Sequence, residues 1–180
     1  MTVLLTYGHG TDSAERAVAI LQAAPVASIV DIRIAPGSRR NPQYSRVELS
    51  RWLPEAGILY RWEKRLGGFR KPSAGNPDLV WREDMFRGYA EYMRSEEFRA
   101  AIDPVLSEAS DRPVAVMCSE TLWWRCHRRL VADYASAARG FTVRHLMHDG
   151  RIEDHRPSPG LRLRSDGLLV YDGGQAPLIG

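Results

Sequence analysis

The chain of 180 residues is sparing with several things. It has only two cysteines, Cys118 and Cys126, and only two lysines, Lys64 and Lys71, among 25 basic residues. Two thiols cannot build the dense disulfide framework of a small secreted scaffold. No apolar run approaches the roughly 20 residues that span a bilayer, so no membrane partner is expected. The opening "MTVLLTYGHG" has no basic leader and reads as a first strand rather than a signal peptide. There is no internal repeat and no low-complexity segment. Together these absences point to a cytoplasmic protein with reduced thiols. The composition, 44% apolar and 26% charged, allows one domain with a sizeable core.

Net charge is only +3, but it is unevenly spread. From Arg33 to Lys71 there are ten basic residues and three acidic ones, a local +7 that leaves −4 for the remainder. The arginine-to-lysine ratio by itself reflects genome composition. The clustering needs a separate account. Arginine's planar fork suits phosphate and carboxylate groups. A small anionic ligand is therefore the expected partner, with nucleic acid bound by the Arg33–Lys71 segment as the alternative.

Strand patterns alternate with helical ones. "TVLLTYG", "VASIVDIRI", "ILYRWE", "RPVAVMC" and "FTVRHLM" read as strands. Helices are expected after Asp12 and Glu15, after Ser45 and Glu48, near Arg82–Met93, over Glu96–Ala109 with Ser95 as cap, and from Thr121 to Gly140. A long irregular stretch, "KRLGGFRKPSAGNPDLVW", and a terminal hairpin turning at Asp166-Gly167 complete the chain. The expected fold is α/β, three-layered, with a mainly parallel sheet, helices on both faces and a C-terminal β-hairpin. Residues 1–156 would form the α/β domain, and residues 157–180 an extension packed on it.

Ligands of such sheets bind outside the carboxyl ends of the strands. Three strands end in polar groups there: Gly8-His9-Gly10, Asp31-Ile32-Arg33 followed by Ser38, Arg39 and Asn41, and Cys118-Ser119-Glu120. Cys118 is the candidate nucleophile, its thiolate favoured by a helix N-terminus and nearby arginines. Glu120, His127 and His9 are candidate acid–base groups, and Arg33, Arg39 and Arg128 the anion grip. Asp31 would orient a partner, and Arg70 beside Gly67-Gly68 could face a phosphate. Gly8 and Gly10 would let a ligand approach the backbone. Cys126 continues through Leu130 and Tyr134 at helical spacing, so packing in the core competes with a role in the site. The order C-x-E-x5-C-H matches no zinc spacing, and neighbouring Cys and His side chains on a helix diverge. No metal is therefore expected. No cofactor is indicated.

The motifs "TYGHG", "VDIRIAPGSRRNPQY", "EAGILY", "LGGFRKP", "MCSE…CHR" and "VRHLMHDG…H" run in order from Thr6 to about His155. In this the chain resembles the bacterial family called domain of unknown function 488. The resemblance implies an α/β domain with this motif set and carries no assigned reaction. The family usually has serine where this chain has Gly10, which removes a hydroxyl donor. A looser likeness, to rhodanese and cysteine-phosphatase architecture, implies cysteine chemistry on sulfur or phosphate. The phosphatase loop is C-x5-R, however, whereas Cys118 to Arg125 is C-x6-R.

Overall fold

The computed structural model describes residues 1–174; of the extension expected over 157–180, residues 175–180 lie outside the described residues. Strands β1 (Val3–Gly8), β2 (Ser28–Asp31), β3 (Leu59–Trp62), β4 (Val114–Cys118) and β5 (Thr142–Leu146) run parallel in the order β3-β2-β4-β1-β5. A short antiparallel strand, β6 (Ile152–Asp154), extends the β5 edge. Its three residues are exposed or half-buried, so no apolar pattern announces it in the sequence.

Side chains alternate across each strand, and the two faces carry separate cores. Leu5, Tyr7, Ile29 and Met117 meet helices α1 (Ala14–Ala23) and α2 (Arg46–Glu55). Leu4, Val30, Val116 and Val143 meet α3 (Asp84–Tyr92), α4 (Glu96–Asp111) and α5 (Arg128–Asp133). This is the three-layer α/β arrangement, and the hairpin of β7 (Arg162–Leu163) and β8 (Leu169–Val170) follows it. Leu169, Val170 and Tyr171 are buried, and the Tyr171 hydroxyl donates to Asp133 at 2.8 Å.

Ser45 and Ser95 cap their helices by accepting the N–H groups of Glu48 and Phe98. At α1 the cap is Ser13 rather than Asp12. Asp12 instead accepts from the Tyr7 hydroxyl and lies 3.3 Å from His148, so tertiary partners displace the local one. The larger correction concerns the helix expected from Thr121. The chain stays irregular through Cys126, apart from a 3-10 turn at Trp123–Arg125. Helix α5 begins only at Arg128 and widens into a π-helical turn over Tyr134–Ala138. Two contacts hold the segment out of the helix. The Trp123 ring stacks on His145 at 4.2 Å, and the Glu120 carboxylate takes the Leu122 N–H.

Among the described residues no helix is long and apolar enough to cross a membrane. The topology also fixes where a crevice opens. Neighbouring strands β2 and β4 continue into α2 and α5, which lie on opposite faces. Their connections diverge and leave a gap beyond the strands' carboxyl ends.

Candidate functional site

A cavity of about 640 Å³ occupies that gap. His9 and Gly10 reach it from β1, Arg33, Ser38 and Asn41 from beyond β2, and Cys118 and Glu120 from β4. Cys126 and His127, just before α5, complete the floor, while Ile34, Ala35, Phe69 and Met85 give apolar walls.

The floor is a pair of thiols. Both cysteines are free and buried, with Sγ atoms 2.7 Å apart. Cys126 is buried in one core cluster with Leu130 and Tyr134, as its spacing suggested, but not as part of a helix. It precedes the helix, and its Sγ lies 3.4 Å from His127 Nδ1, so the expected divergence of Cys and His does not occur. Beneath the sulfurs lies Arg128, 1% exposed. Its Nε donates to Cys118 Sγ at 3.0 Å and its backbone N–H to Cys126 Sγ at 3.5 Å. Burial, aided by the hydrogen bond to Cys126, pushes the Cys118 thiol well above its ordinary range. Burial opposes the Cys126 charge too, but the Cys118 hydrogen bond and Arg128 outweigh it and bring Cys126 down to about 7. The two thiols therefore titrate as a coupled pair, with the first proton lost near neutral pH.

The neighbouring histidines are neutral, and their tautomers follow from their partners. His127 Nε2 donates to the Ile32 carbonyl at 3.0 Å, which turns the Nδ1 lone pair toward Cys126. His9 Nδ1 donates to the Gly10 carbonyl at 2.8 Å, leaving Nε2 to accept from Arg33. Burial lowers both, His9 to about 4. His9 also stacks on Tyr44 at 3.9 Å. Arg33 is braced by the fully buried Asp31 through Nε and NH2, at 2.9 and 2.7 Å, and Tyr60 donates to the same carboxylate. Four of Arg33's five donors are occupied within the protein, which leaves one NH1 hydrogen beside the cavity.

A second polar chain runs from Arg128 away from the cavity. Arg128 NH1 lies 3.1 Å from Thr6 Oγ1, which lies 2.7 Å from His145 Nδ1. His145 Nε2 reaches His155 Nδ1 at 3.0 Å, and His155 Nε2 reaches Asp133 at 2.8 Å. A guanidinium only donates and a carboxylate only accepts. Every proton between them is therefore directed from Arg128 toward Asp133. Burial and the neighbouring His155 keep His145 neutral, with its pKa lowered to about 2. Thr6, His145, His155 and Asp133 were not singled out as site residues from the sequence. Their common signal was the pair of histidines spaced ten apart, which becomes readable only once β5 lies beside β1.

Several expected groups do something other than foreseen. Arg128 does not line the cavity: it is buried, and four of its five donors go to Cys118, Thr6 and the Glu120 and Thr121 carbonyls. Glu120 serves the site through its carbonyl, 2.5 Å from Arg128, while its carboxylate closes the following turn. Gly8 does not admit a ligand; a Cβ there would collide with the Glu120 carbonyl oxygen and crowd Arg128. Arg39 is exposed outside the cavity lining. Arg70 is held over the Tyr92 ring at 3.6 Å. The Arg125 side chain, exposed at the rim, makes no hydrogen bond or ion pair among the described residues. Among those residues no group of three or more His, Cys, Asp or Glu side chains is arranged to hold a metal ion.

These features define an α/β protein with two adjacent free cysteines on a buried arginine at the switch point of its sheet. The chain belongs to the family described as Domain of unknown function DUF488, whose model matches residues 13–135. The match includes the Asp31–Asn41 and Cys118–Arg128 motifs and stops before His145 and His155. No curated protein and no solved structure matches the chain.

Proposed function

We propose that this protein binds a small anionic ligand in the cavity and acts on it through the Cys126 thiolate. The carrying observation is the arrangement of the sulfurs. Two free sulfurs lie 2.7 Å apart on the cavity floor against a buried arginine, which with the Cys118 hydrogen bond favours a Cys126 thiolate. Such a thiolate is the reactive form of cysteine. The remaining Arg33 NH1 hydrogen and Arg125 supply positive charge above it. Cys118 becomes the partner thiol, and the neutral His127 faces Cys126 through Nδ1. His9 acts by positioning Arg33. The reading implies a reducing compartment, the cytoplasm, where two thiols stay reduced.

A nucleic-acid partner draws less support. Within the basic segment Arg33 is paired with Asp31, Arg51 with Glu48, Arg61 with Glu108 and Arg65 with Glu63. Phosphatase-like chemistry also draws little, since the segment after Cys118 folds into a tryptophan-bearing turn.

Iodoacetamide labelling of the native protein across pH tests the proposal. Labelling of Cys126 should follow a pKa near 7, and phosphate, sulfate or a nucleotide should slow it. A pKa at or above about 8.5, the free-thiol value, together with no protection by any anion, overturns it.

A further inference from the structure

The Cys118–Cys126 pair allows a narrower statement of substrate class. We propose that the site reduces small anionic disulfides, with Cys126 attacking and Cys118 resolving, so that each turnover leaves a Cys118–Cys126 disulfide. The inference rests on the anion-binding, thiolate reading above.

Three observations carry it. The two sulfurs lie 2.7 Å apart, within an ångström of a disulfide bond of about 2.05 Å. The contact joins the end of β4 to the residues before α5, so both thiols reach the same cavity floor. Arg128 touches both sulfurs, through Nε to Cys118 and its backbone N–H to Cys126. A single-cysteine nucleophile would need only one of these contacts. The size and lining of the cavity then choose among two-electron acceptors. About 640 Å³ with apolar walls of Ile34, Phe69 and Met85 suits an organic molecule rather than a peroxide, and the arginines at its mouth favour a carboxylate-bearing one.

The chemistry balances without a further cofactor. The Cys126 thiolate attacks one sulfur of R–S–S–R, forms the mixed disulfide Cys126–S–S–R and expels R–S⁻. The Cys118 thiol gives its proton to that leaving thiolate. The Cys118 thiolate so formed, now facing Arg128 Nε, attacks Cys126 Sγ and expels the second R–S⁻. The substrate gains two electrons and the pair loses two. An external dithiol returns the pair to its starting state by the reverse exchange.

The test uses dithiobis-nitrobenzoate, an anionic aromatic disulfide, as the probe on the reduced full-length chain. Wild type should release two nitrobenzoate thiolates per chain, keep no adduct, and show by intact mass an internal disulfide that a dithiol reverses. Cys118→Ser should release one and retain the adduct on Cys126. Cys126→Ser should release none at a comparable rate. Wild type that retains the mixed disulfide on Cys126 overturns the proposal without any variant having to fold. Neutral dithiodipyridine separates the two readings. Equal rates with both probes, with internal disulfide formed, leave the dithiol chemistry standing and remove the anion site. Anion protection of Cys126 with a persistent adduct does the opposite.

Discussion

Replacing Arg128 by methionine is the sharpest perturbation available. Methionine fills much of the volume but supplies no charge and no donor. At pH 7 a thiol with pKa about 7 is half ionised, whereas one at the ordinary value of about 8.5 is roughly 3% ionised. Without the cation, burial acts unopposed and lifts Cys126 past that value, so the thiolate at pH 7 should fall by at least about 15-fold. The Thr6 hydroxyl and Glu120 carbonyl also lose their partner, at about 1–3 kcal/mol each when left unsatisfied. A total loss of about 3–5 kcal/mol is expected, the usual cost of breaking a buried charged cluster. The pH dependence has a definite sign. Between about pH 7 and 8.5 the unfolded Cys126 thiol binds more protons than the folded one. Wild-type stability from this group is therefore present above that window and lost as pH falls through it. Arg128→Met should remove that slope. Ultraviolet thiolate absorbance across pH, with urea midpoints at each pH, measures both effects. Arg128→Lys should fall between, keeping the charge but not the fork that reaches Cys118, Thr6 and Glu120 together. A stability change under about 0.5 kcal/mol with an unchanged thiolate titration refutes the reasoning.

The remaining predictions concern the surroundings. His9 and His145 are neutral when folded, lowered to about 4 and about 2, so the unfolded chain binds more protons below about pH 6.5. The thermal midpoint should drop as pH falls from 6.5 to 4, and His9→Gln should make that drop shallower throughout the window. Thr6→Val keeps the shape but leaves Arg128 NH1 and His145 Nδ1 unpartnered, and should cost about 1–3 kcal/mol in urea unfolding. Gly8→Ala should prevent the Glu120 carbonyl from meeting Arg128, and should lose both stability and rapid Cys126 labelling. Phe69 is exposed at the cavity mouth with φ +60. Phe69→Gly should relieve about 1 kcal/mol of left-handed strain and leave calorimetric stability equal or higher; a clear loss would mean the ring holds the loop in place.

The sequence alone determined the strands, the layers and the edge of the sheet that carries the polar residues. These rest on short-range physics: apolar runs for strands buried on both faces, capping serines at Ser45 and Ser95, and the rule that loops at strand ends meet at one edge. It could not determine what the segment from Thr121 to Cys126 does, because local pattern favours a helix and only Trp123 packing on His145, a partner far along the chain, forbids it. The same limit hid the roles of the charged residues. Arg128 and Arg39 look alike as arginines near a cleft, yet one is buried beneath two sulfurs and the other is exposed. How the two thiols titrate was equally out of reach. A thiol's pKa is set by burial and by neighbours within a few ångströms, and it took the pairing of β1 with β4 and the start of α5 to bring Thr6, Cys118, Cys126 and Arg128 to that distance.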